Sequence, residues 1–252
     1  MLKTPQIAVV AAAALQILTP MLPRLGVGDP IGSQSSAVRT LITPAGWAFS
    51  IWGALFAGSV IFAIFQALPS QRASVLLERI RWPAAGAFLG NALWAVYTQL
   101  YGLSALSAGI ILWTLGCLII VYRTFSNGTL TAGERWCAFL PLSALTAWLT
   151  VATTVNIAAS LSYHGVNAGS AAPAISAGVT IVAGIIAATV LIRGRGNVPY
   201  AVVFLWALSA IYAAGGQVAA LVAAATVVSA VLVVAGLIGG LRRRPSSSAV
   251  IG

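Results

Sequence analysis

Charged residues are scarce in this sequence. Of its 252 residues only 6% are charged and 60% are hydrophobic, whereas soluble domains carry about 25% charged residues. So few charges cannot cover the surface of a folded chain of this length in water, but they suffice for the loops of a helical bundle that faces lipid. The sequence therefore predicts an integral membrane protein and excludes most classes of soluble enzyme.

Acidic residues, histidine and lysine are almost missing. The chain has three acidic residues, and its single histidine and single lysine are His164 and Lys3. We place Asp29, Glu78 and Glu134, like all the arginines, in loops, which leaves the apolar runs without the ionisable groups that pumps and voltage sensors use. A retinal Schiff base is excluded because the only lysine precedes the first run. With no base to activate its hydroxyl groups, the sequence predicts no enzyme, no catalytic residue and no cofactor.

Cysteine is equally rare, and the basic residues are dispersed. Cys117 and Cys137 form no C-x-x-C pair and belong to no Cys/His cluster, so the sequence predicts no disulfide framework and no metal site. The formal net charge of +10 comes from basic residues spread over short segments between apolar runs. Because duplex binding needs a concentrated basic face, we predict no nucleic-acid partner.

Apolar runs dominate what is present. A helix rises about 1.5 Å per residue, so about 20 apolar residues cross a bilayer core of about 30 Å. The first run also resembles a signal peptide, but we expect it to be retained because no small-x-small cleavage site follows. The sequence thus predicts an all-α integral membrane protein, a helical bundle of about eight transmembrane helices. The runs cover residues 5–22, 46–68, 82–100, 103–122, 136–161, 173–192, 198–214 and 218–241.

The basic residues favour one side of this arrangement. With eight spans, eleven of them fall on one side, from Lys3 to the cluster at 242–244, and only Arg24 and Arg39 fall on the other. The side richer in lysine and arginine faces the cytoplasm. We therefore predict a multi-pass protein of the cell (plasma or inner) membrane with both termini cytoplasmic and the lipid bilayer as its surroundings.

Tryptophan usage divides the chain. Seven of the eight tryptophans lie within residues 47–148, and the last three spans are rich in alanine, valine and glycine, with Trp206 alone. The division falls near the Gly/Ser/Asn-bearing segment 163–172. The predicted units are a five-helix core at 1–162, a three-helix membrane appendage at 163–244 and a disordered cytoplasmic tail at 245–252.

Amides and tryptophans recur at helical spacing within the spans. Asn91 and Trp94 share one face of the third helix, and Trp148, Ala152 and Asn156 share one face of the fifth. Apolar walls with a few polar groups are typical of small-molecule sites. A structural alternative stays open, because asparagine also joins membrane helices by hydrogen bonds and tryptophan also anchors helix ends at the interface.

Two small-x-x-x-small patterns permit close helix contacts. They lie at residues 86–90 and 236–240. Such patterns occur at helix interfaces within and between membrane proteins, and they arise easily by chance in a chain with 25 glycines. A homodimer therefore stays open.

Three motifs carry a family resemblance. Residues 44–56 read P-A-G-W-A-F-S-I-W-G-A-L-F, residues 91–94 read N-A-L-W, and residues 148–156 read W-x3-A-T-x2-N with Pro141 upstream. In this order they resemble the second, third and fifth helices of the tryptophan-rich sensory protein family, which includes the mitochondrial translocator protein once called the peripheral benzodiazepine receptor. The likeness covers residues 1 to about 162, and the three extra helices resemble a longer branch of that family.

The resemblance implies a ligand pocket inside the five-helix bundle. The family binds porphyrins and other flat apolar ligands, often as a homodimer, so we expect a membrane-embedded sensor or regulator of the receptor type. Flat ligands stack on indoles, and an amide can hold a carbonyl or carboxylate. Carried over by position, the ligand-binding residues are Trp52, Asn91, Trp94, Trp148, Ala152 and Asn156.

The chain also departs from the family pattern. The segment 23–43 lacks tryptophan, tyrosine and lysine, and no lysine or arginine closely follows Tyr163, which argues against tetrapyrrole degradation and against sterol binding. A second hypothesis is a transporter or permease for a neutral or apolar solute that uses all eight helices, although no internal repeat favours it. A third, an enzyme acting on a tetrapyrrole or lipid, lacks acid–base residues in the spans.

Overall fold

The computed structural model of the protein describes residues 2–126 and 128–243, so the tail predicted at 245–252 lies outside the described residues. Within these two ranges the regular structure is entirely helical, without β-strands, which confirms the predicted all-α membrane bundle. The α-helices of the described chain are α1 (Thr4–Leu18), α2 (Ile31–Ala37), α3 (Ile51–Ala67), α4 (Val75–Tyr101), α5 (Ala105–Ser126), α6 (Ala132–Glu134), α7 (Leu140–Tyr163), α8 (Ala172–Arg193), α9 (Val198–Ile211) and α10 (Ala220–Arg242).

Among the described residues, seven helical stretches are long and apolar enough to cross a membrane. Short 3-10 and π-helical turns lengthen several of the α-helices, such as the turn Gly46–Ser50 before α3 and the turn Arg135–Phe139 before α7. The seven stretches are Thr4–Leu25, Gly46–Ala67, Ala105–Ser126, Ala132–Tyr163, Gly169–Arg193, Val198–Gly216 and Ala220–Arg242.

The remaining predicted span, α4, differs from these seven in composition. It has 27 residues, but it buries the polar side chains of Asn91, Thr98 and Gln99 and falls outside the apolar set. α4 packs between α1 and α5. Its polar residues therefore face other helices rather than lipid, the placement expected of polar groups within a membrane bundle.

Local chemistry sets both ends of α4. The Ser74 hydroxyl oxygen accepts a hydrogen bond from the backbone N–H of Leu77 at 3.2 Å, an N-cap that satisfies one free donor of the first turn. At the other end Gly102 adopts φ +77°, and its N–H donates to the carbonyl of Thr98. Glycine takes this positive-φ conformation without the steric cost that a Cβ adds.

Charged residues enter the helices, contrary to the loop placement predicted from the sequence. Glu78, Arg79 and Arg81 belong to α4, and the Arg81 side chain is fully buried. Its guanidinium donates from Nε to Gln66 Oε1 at 3.1 Å and from Nη2 to the carbonyls of Gln66 and Gln71 at 3.1 and 2.8 Å. These fixed polar partners replace part of the water that the cation loses, whereas its Nη1 has no partner among the described residues. The sequence placed this arginine in a loop because the apolar run begins only after it.

Glycines bring α8 and α10 together. A Cβ added at Gly236 of α10 would lie 2.6 Å from Ala188 Cα of α8, and one added at Gly184 would lie 2.7 Å from Ser229 Cβ. The pattern at 86–90 is used in the same way between α4 and α5, where Gly90 approaches Thr114. Both small-residue patterns thus serve helix packing within the chain.

Contacts cross the junction between the predicted five-helix core and the three-helix appendage. The Asn197 amide donates to Ser143 Oγ at 2.8 Å, and the Tyr200 hydroxyl donates to Thr150 Oγ1 at 3.3 Å, which fixes α9 against α7. The Tyr200 ring also meets the ring of Tyr122 on α5. α9 therefore packs on the five-helix unit, whereas α8 packs mainly on α10.

Candidate ligand cavity

A narrow cavity lies between α3, α4, α5 and α7, under the short helix α2. Its volume is about 50 Å³, room for a few water molecules, since one water needs about 10–15 Å³ by this measure. The wall is mostly apolar. The aromatic and polar side chains that line it are Ser35, Phe49, Trp52, Trp94, Trp148 and Asn156.

Aromatic rings pack edge to face around the cavity. The Trp52 and Trp148 rings lie 6.2 Å apart at 83°, and the Phe49 and Trp148 rings lie 6.1 Å apart at 82°. Trp52 also contacts Phe56, one turn along α3, at 5.1 Å. Edge-to-face pairs place the positive edge of one ring on the negative face of the next. The cluster joins α3 to α7 through its rings and offers aromatic surface to the cavity.

One amide, of Asn156, and one indole, of Trp94, supply polar groups of the wall. The Asn156 carbonyl oxygen accepts a hydrogen bond from Ser107 Oγ of α5 at 2.9 Å, which orients the amide. The Trp94 indole Nε1 is buried and has no hydrogen-bond partner among the described residues. A buried N–H without a partner costs about 1–3 kcal/mol. The Trp94 indole is therefore an unsatisfied donor within a residue of the cavity wall.

A wider cleft adjoins the cavity on the outside of α2. It has a volume of about 420 Å³ and shares Ser35, Pro44, Phe49 and Trp52 with the inner cavity. Arg39 lines this outer cleft and is exposed. The arrangement places a cation at the mouth and indoles inside, an order that suits a ligand with an apolar body and an anionic end.

Helix α9, one of the last three helices, supports one wall of both cavities. The backbone N–H of Ala45 donates to the carbonyl of Ala210 on α9 at 3.0 Å, and the Trp206 indole donates to the carbonyl of Ala48 at 3.2 Å. The rings of Trp206 and Trp47 also meet edge to face at 4.8 Å. These contacts fix the turn Gly46–Ser50, which carries Phe49 into the cavity wall.

Five of the six residues carried over from the family resemblance meet at the inner cavity. The sixth, Asn91, does not line it. Its amide nitrogen lies 3.3 Å from Gln16 Oε1, so this side chain faces α1. The five that line the cavity are Trp52, Trp94, Trp148, Ala152 and Asn156.

Sequence reasoning did not single out the other lining residues, among them Phe49, Ser35 and Arg39. Phe49 lies within the motif at 44–56 and has a recognisable signal, since it precedes Trp52 by one helical turn. Ser35 and Arg39 had no such signal in the sequence, because they belong to the segment 23–43, in which the family's aromatic residues are absent. Only the folding of α2 over the bundle brings them to the mouth.

One family model matches the chain over nearly its whole length. The model is described as TSPO-like protein, and it covers residues 5–238, so the match includes α8, α9 and most of α10 as well as the first five predicted spans. No curated protein and no solved structure matches the chain. The protein is therefore a multi-pass membrane protein that belongs to the TSPO-like family.

Proposed function

We propose that this protein binds a flat hydrophobic ligand such as a porphyrin within the membrane and acts as a sensor or regulator. The observation that supports the proposal is the meeting of Trp52, Trp94, Trp148 and Asn156 around one cavity that opens towards Arg39. A porphyrin offers a flat π-face to the indoles and carboxylates to a cation. Each of these features has a matching group in the wall.

The inner cavity and the outer cleft suit different parts of such a ligand. The inner cavity is lined by indoles, with the Trp94 N–H free to donate and the Asn156 amide held by Ser107. The outer cleft is wider and carries the exposed Arg39. In the proposed complex the apolar ring system lies towards Trp148, and a carboxylate stays at Arg39, where water still reaches it.

Binding requires the inner cavity to widen. Pockets for ligands of this size hold about 300–1,000 Å³, and the inner cavity holds about 50 Å³. The outer cleft, at about 420 Å³, is already within that range. α2 lines both spaces, and none of its residues is buried. We propose that outward movement of α2 and of the Trp52 side chain admits the ligand.

The proposal is one of binding rather than catalysis. The inner cavity wall is lined by no acidic residue, histidine or lysine in the part of the chain that the structure describes. General acid–base chemistry at pH 7 needs such a group close to the reacting atom. We therefore propose no enzymatic activity.

Orientation and location follow from charge. We propose the cell membrane, with both termini in the cytoplasm, because eleven of the thirteen basic residues then lie on the cytoplasmic side. Attaching a reporter that is active only in the cytoplasm to the C-terminus tests this topology. Activity of the same reporter placed in the segment between α1 and α3 contradicts it.

A protoporphyrin titration of the purified protein tests the proposed ligand class. The readout is quenching of tryptophan fluorescence, and the key variant is Ala152→Leu, which fills the cavity without removing a tryptophan. Ala152 is half-buried in the wall. Overpacking costs about 1–3 kcal/mol, so we expect the Kd for protoporphyrin to rise about tenfold. The matched control is Ala158→Leu, also half-buried on α7 but outside the wall, with an unchanged Kd expected.

Three results contradict the proposal. Quenching that does not saturate shows that protoporphyrin has no defined site. Equal loss in Ala152→Leu and Ala158→Leu shows damage to the bundle rather than to the cavity. Equal affinity in both variants and the unaltered protein places the ligand elsewhere. A transporter for an apolar solute is then the next hypothesis, and flux into vesicles is its assay.

A further inference from the structure

A second cleft lies at the opposite ends of α4 and α5 from α2. It has a volume of about 500 Å³, and its walls come from the start of α4, the end of α5 and the residues just after α5. Two exposed arginines, Arg79 of α4 and Arg123 of α5, line it together. Two cations that share one cleft repel each other, and an anion placed between them relieves that repulsion.

The acidic residues nearest in sequence are engaged elsewhere. Glu78 Oε2 pairs with Lys3 Nζ at 3.6 Å. Glu134 accepts hydrogen bonds from Ser74 Oγ at 2.8 Å and from the N–H and hydroxyl of Thr131 at 3.0 Å each. Within the described ranges no ion pair is formed by either arginine of the cleft. Its positive charge is therefore available to a partner.

The rest of the wall combines apolar and hydroxyl groups. Val75, Leu76 and Ile120 supply apolar surface, and Val75 and Ile120 are 67% and 53% exposed. Thr124 and Thr129 add hydroxyl groups beside the arginines. A soluble anion has no apolar part to place against such a surface, whereas a phospholipid places its acyl chains beside its phosphate.

The position of the cleft matches the level of lipid headgroups. α5 has 22 residues, which at about 1.5 Å per residue slightly exceeds a hydrocarbon core of about 30 Å. Arg123 lies in the last turn of α5, and Arg79 lies in the second turn of α4. Both side chains therefore reach the membrane surface on the side that carries most of the basic residues.

We propose that this cleft binds the phosphate of an anionic phospholipid between Arg79 and Arg123, with an acyl chain against Ile120 and Leu76. Basic pockets between membrane helices recognise lipid headgroups in this way. The proposal does not rest on the ligand of the inner cavity, because the two sites have no lining residue in common.

Native mass spectrometry of the full chain in detergent tests the site. The probes are phosphatidylglycerol and phosphatidylcholine with identical acyl chains, so that only the headgroup differs, anionic in the first lipid and zwitterionic in the second. We expect phosphatidylglycerol to be retained preferentially, and the double variant Arg79→Gln/Arg123→Gln to weaken its binding about tenfold. The control variant is Arg72→Gln/Arg135→Gln, which removes two exposed arginines outside the cleft and is expected to keep the preference.

A second variant covers the case in which the arginine substitutions disturb folding. A Cβ added at Gly128 lies 3.7 Å from its nearest neighbours, so Gly128→Asp fits and places a carboxylate in the cleft. We expect it to abolish the preference for phosphatidylglycerol while the protein remains monodisperse on gel filtration. Retained preference in this variant overturns the proposal.

Other outcomes also overturn it. Equal retention of the two lipids shows that the net charge of the headgroup does not determine binding. An equal loss in the control variant assigns the effect to the general basic surface. Displacement of phosphatidylglycerol by millimolar inorganic phosphate, with phosphate retained in its place, shows a site for soluble anions instead.

Discussion

The asparagine that the family resemblance assigns to the ligand provides the sharpest test of the structure. Asn91 and Gln16 are 4% and 1% exposed, and they face each other between α4 and α1. The cavity wall does not include either residue. We therefore predict that Asn91→Leu lowers the free energy of unfolding and leaves the Kd for protoporphyrin unchanged.

The size of the effect follows from the hydrogen bond. The Asn91 amide nitrogen and Gln16 Oε1 lie 3.3 Å apart, and Asn91 Oδ1 and Gln16 Nε2 have no partner among the described residues. Removing one partner leaves a buried polar group unsatisfied at a cost of about 1–3 kcal/mol. Replacing both amides, as in Asn91→Leu/Gln16→Met, puts an apolar contact in their place. We expect the double variant to lose less than the sum of the single losses, by about 0.6–1.7 kcal/mol.

The assay is unfolding of the detergent-solubilised protein by sodium dodecyl sulfate, followed for the four members of this double-mutant cycle. Protoporphyrin binding is measured on the same four proteins. Strictly additive losses refute the pairing of the two amides. A rise in Kd for Asn91→Leu comparable to that of Ala152→Leu refutes the placement of Asn91 outside the cavity.

Two further predictions concern the last three helices. Trp206→Phe removes the hydrogen bond to the Ala48 carbonyl, so we expect a loss of about 1–2 kcal/mol in the free energy of unfolding. We also expect a changed Kd for protoporphyrin. An unaltered Kd contradicts the role of α9 in holding the cavity wall. Gly236→Ala brings a Cβ to 2.6 Å from Ala188 Cα, whereas at Gly239 the nearest atom lies at 3.7 Å. We expect Gly236→Ala to lower the free energy of unfolding by about 1–3 kcal/mol and Gly239→Ala not to lower it; equal effects would show that α8 and α10 are packed otherwise.

The helices and five of the residues that line the inner cavity could be predicted from the sequence because both depend on local pattern. The length of each apolar run is set by the thickness of the bilayer. The spacing of Trp148, Ala152 and Asn156 places them on one face of α7 whatever their neighbours are. For Asn91 the spacing placed the residue on a helix face but did not identify the neighbour that this face meets.

Residues with no local pattern could not be assigned. Arg81 precedes an apolar run and was placed in a loop, yet α4 begins earlier, at Val75, and buries it against Gln66. Arg39 lies in a segment with no motif and becomes relevant only where α2 covers the cavity mouth. In both cases the partners belong to other helical segments, and their proximity is a property of helix packing.

The sequence alone determined that this protein is an α-helical membrane protein, because an apolar chain with 6% charged residues can satisfy its backbone within lipid only by forming helices or a closed barrel, and its apolar runs have the length of helices. Tertiary structure decided which polar side chains meet. It paired Asn91 with Gln16, brought Trp52, Trp94 and Trp148 to one cavity, and set α9 against the turn that carries Phe49. Lipid gives no helix face a strong preference for another, so close packing and a few hydrogen bonds make that choice.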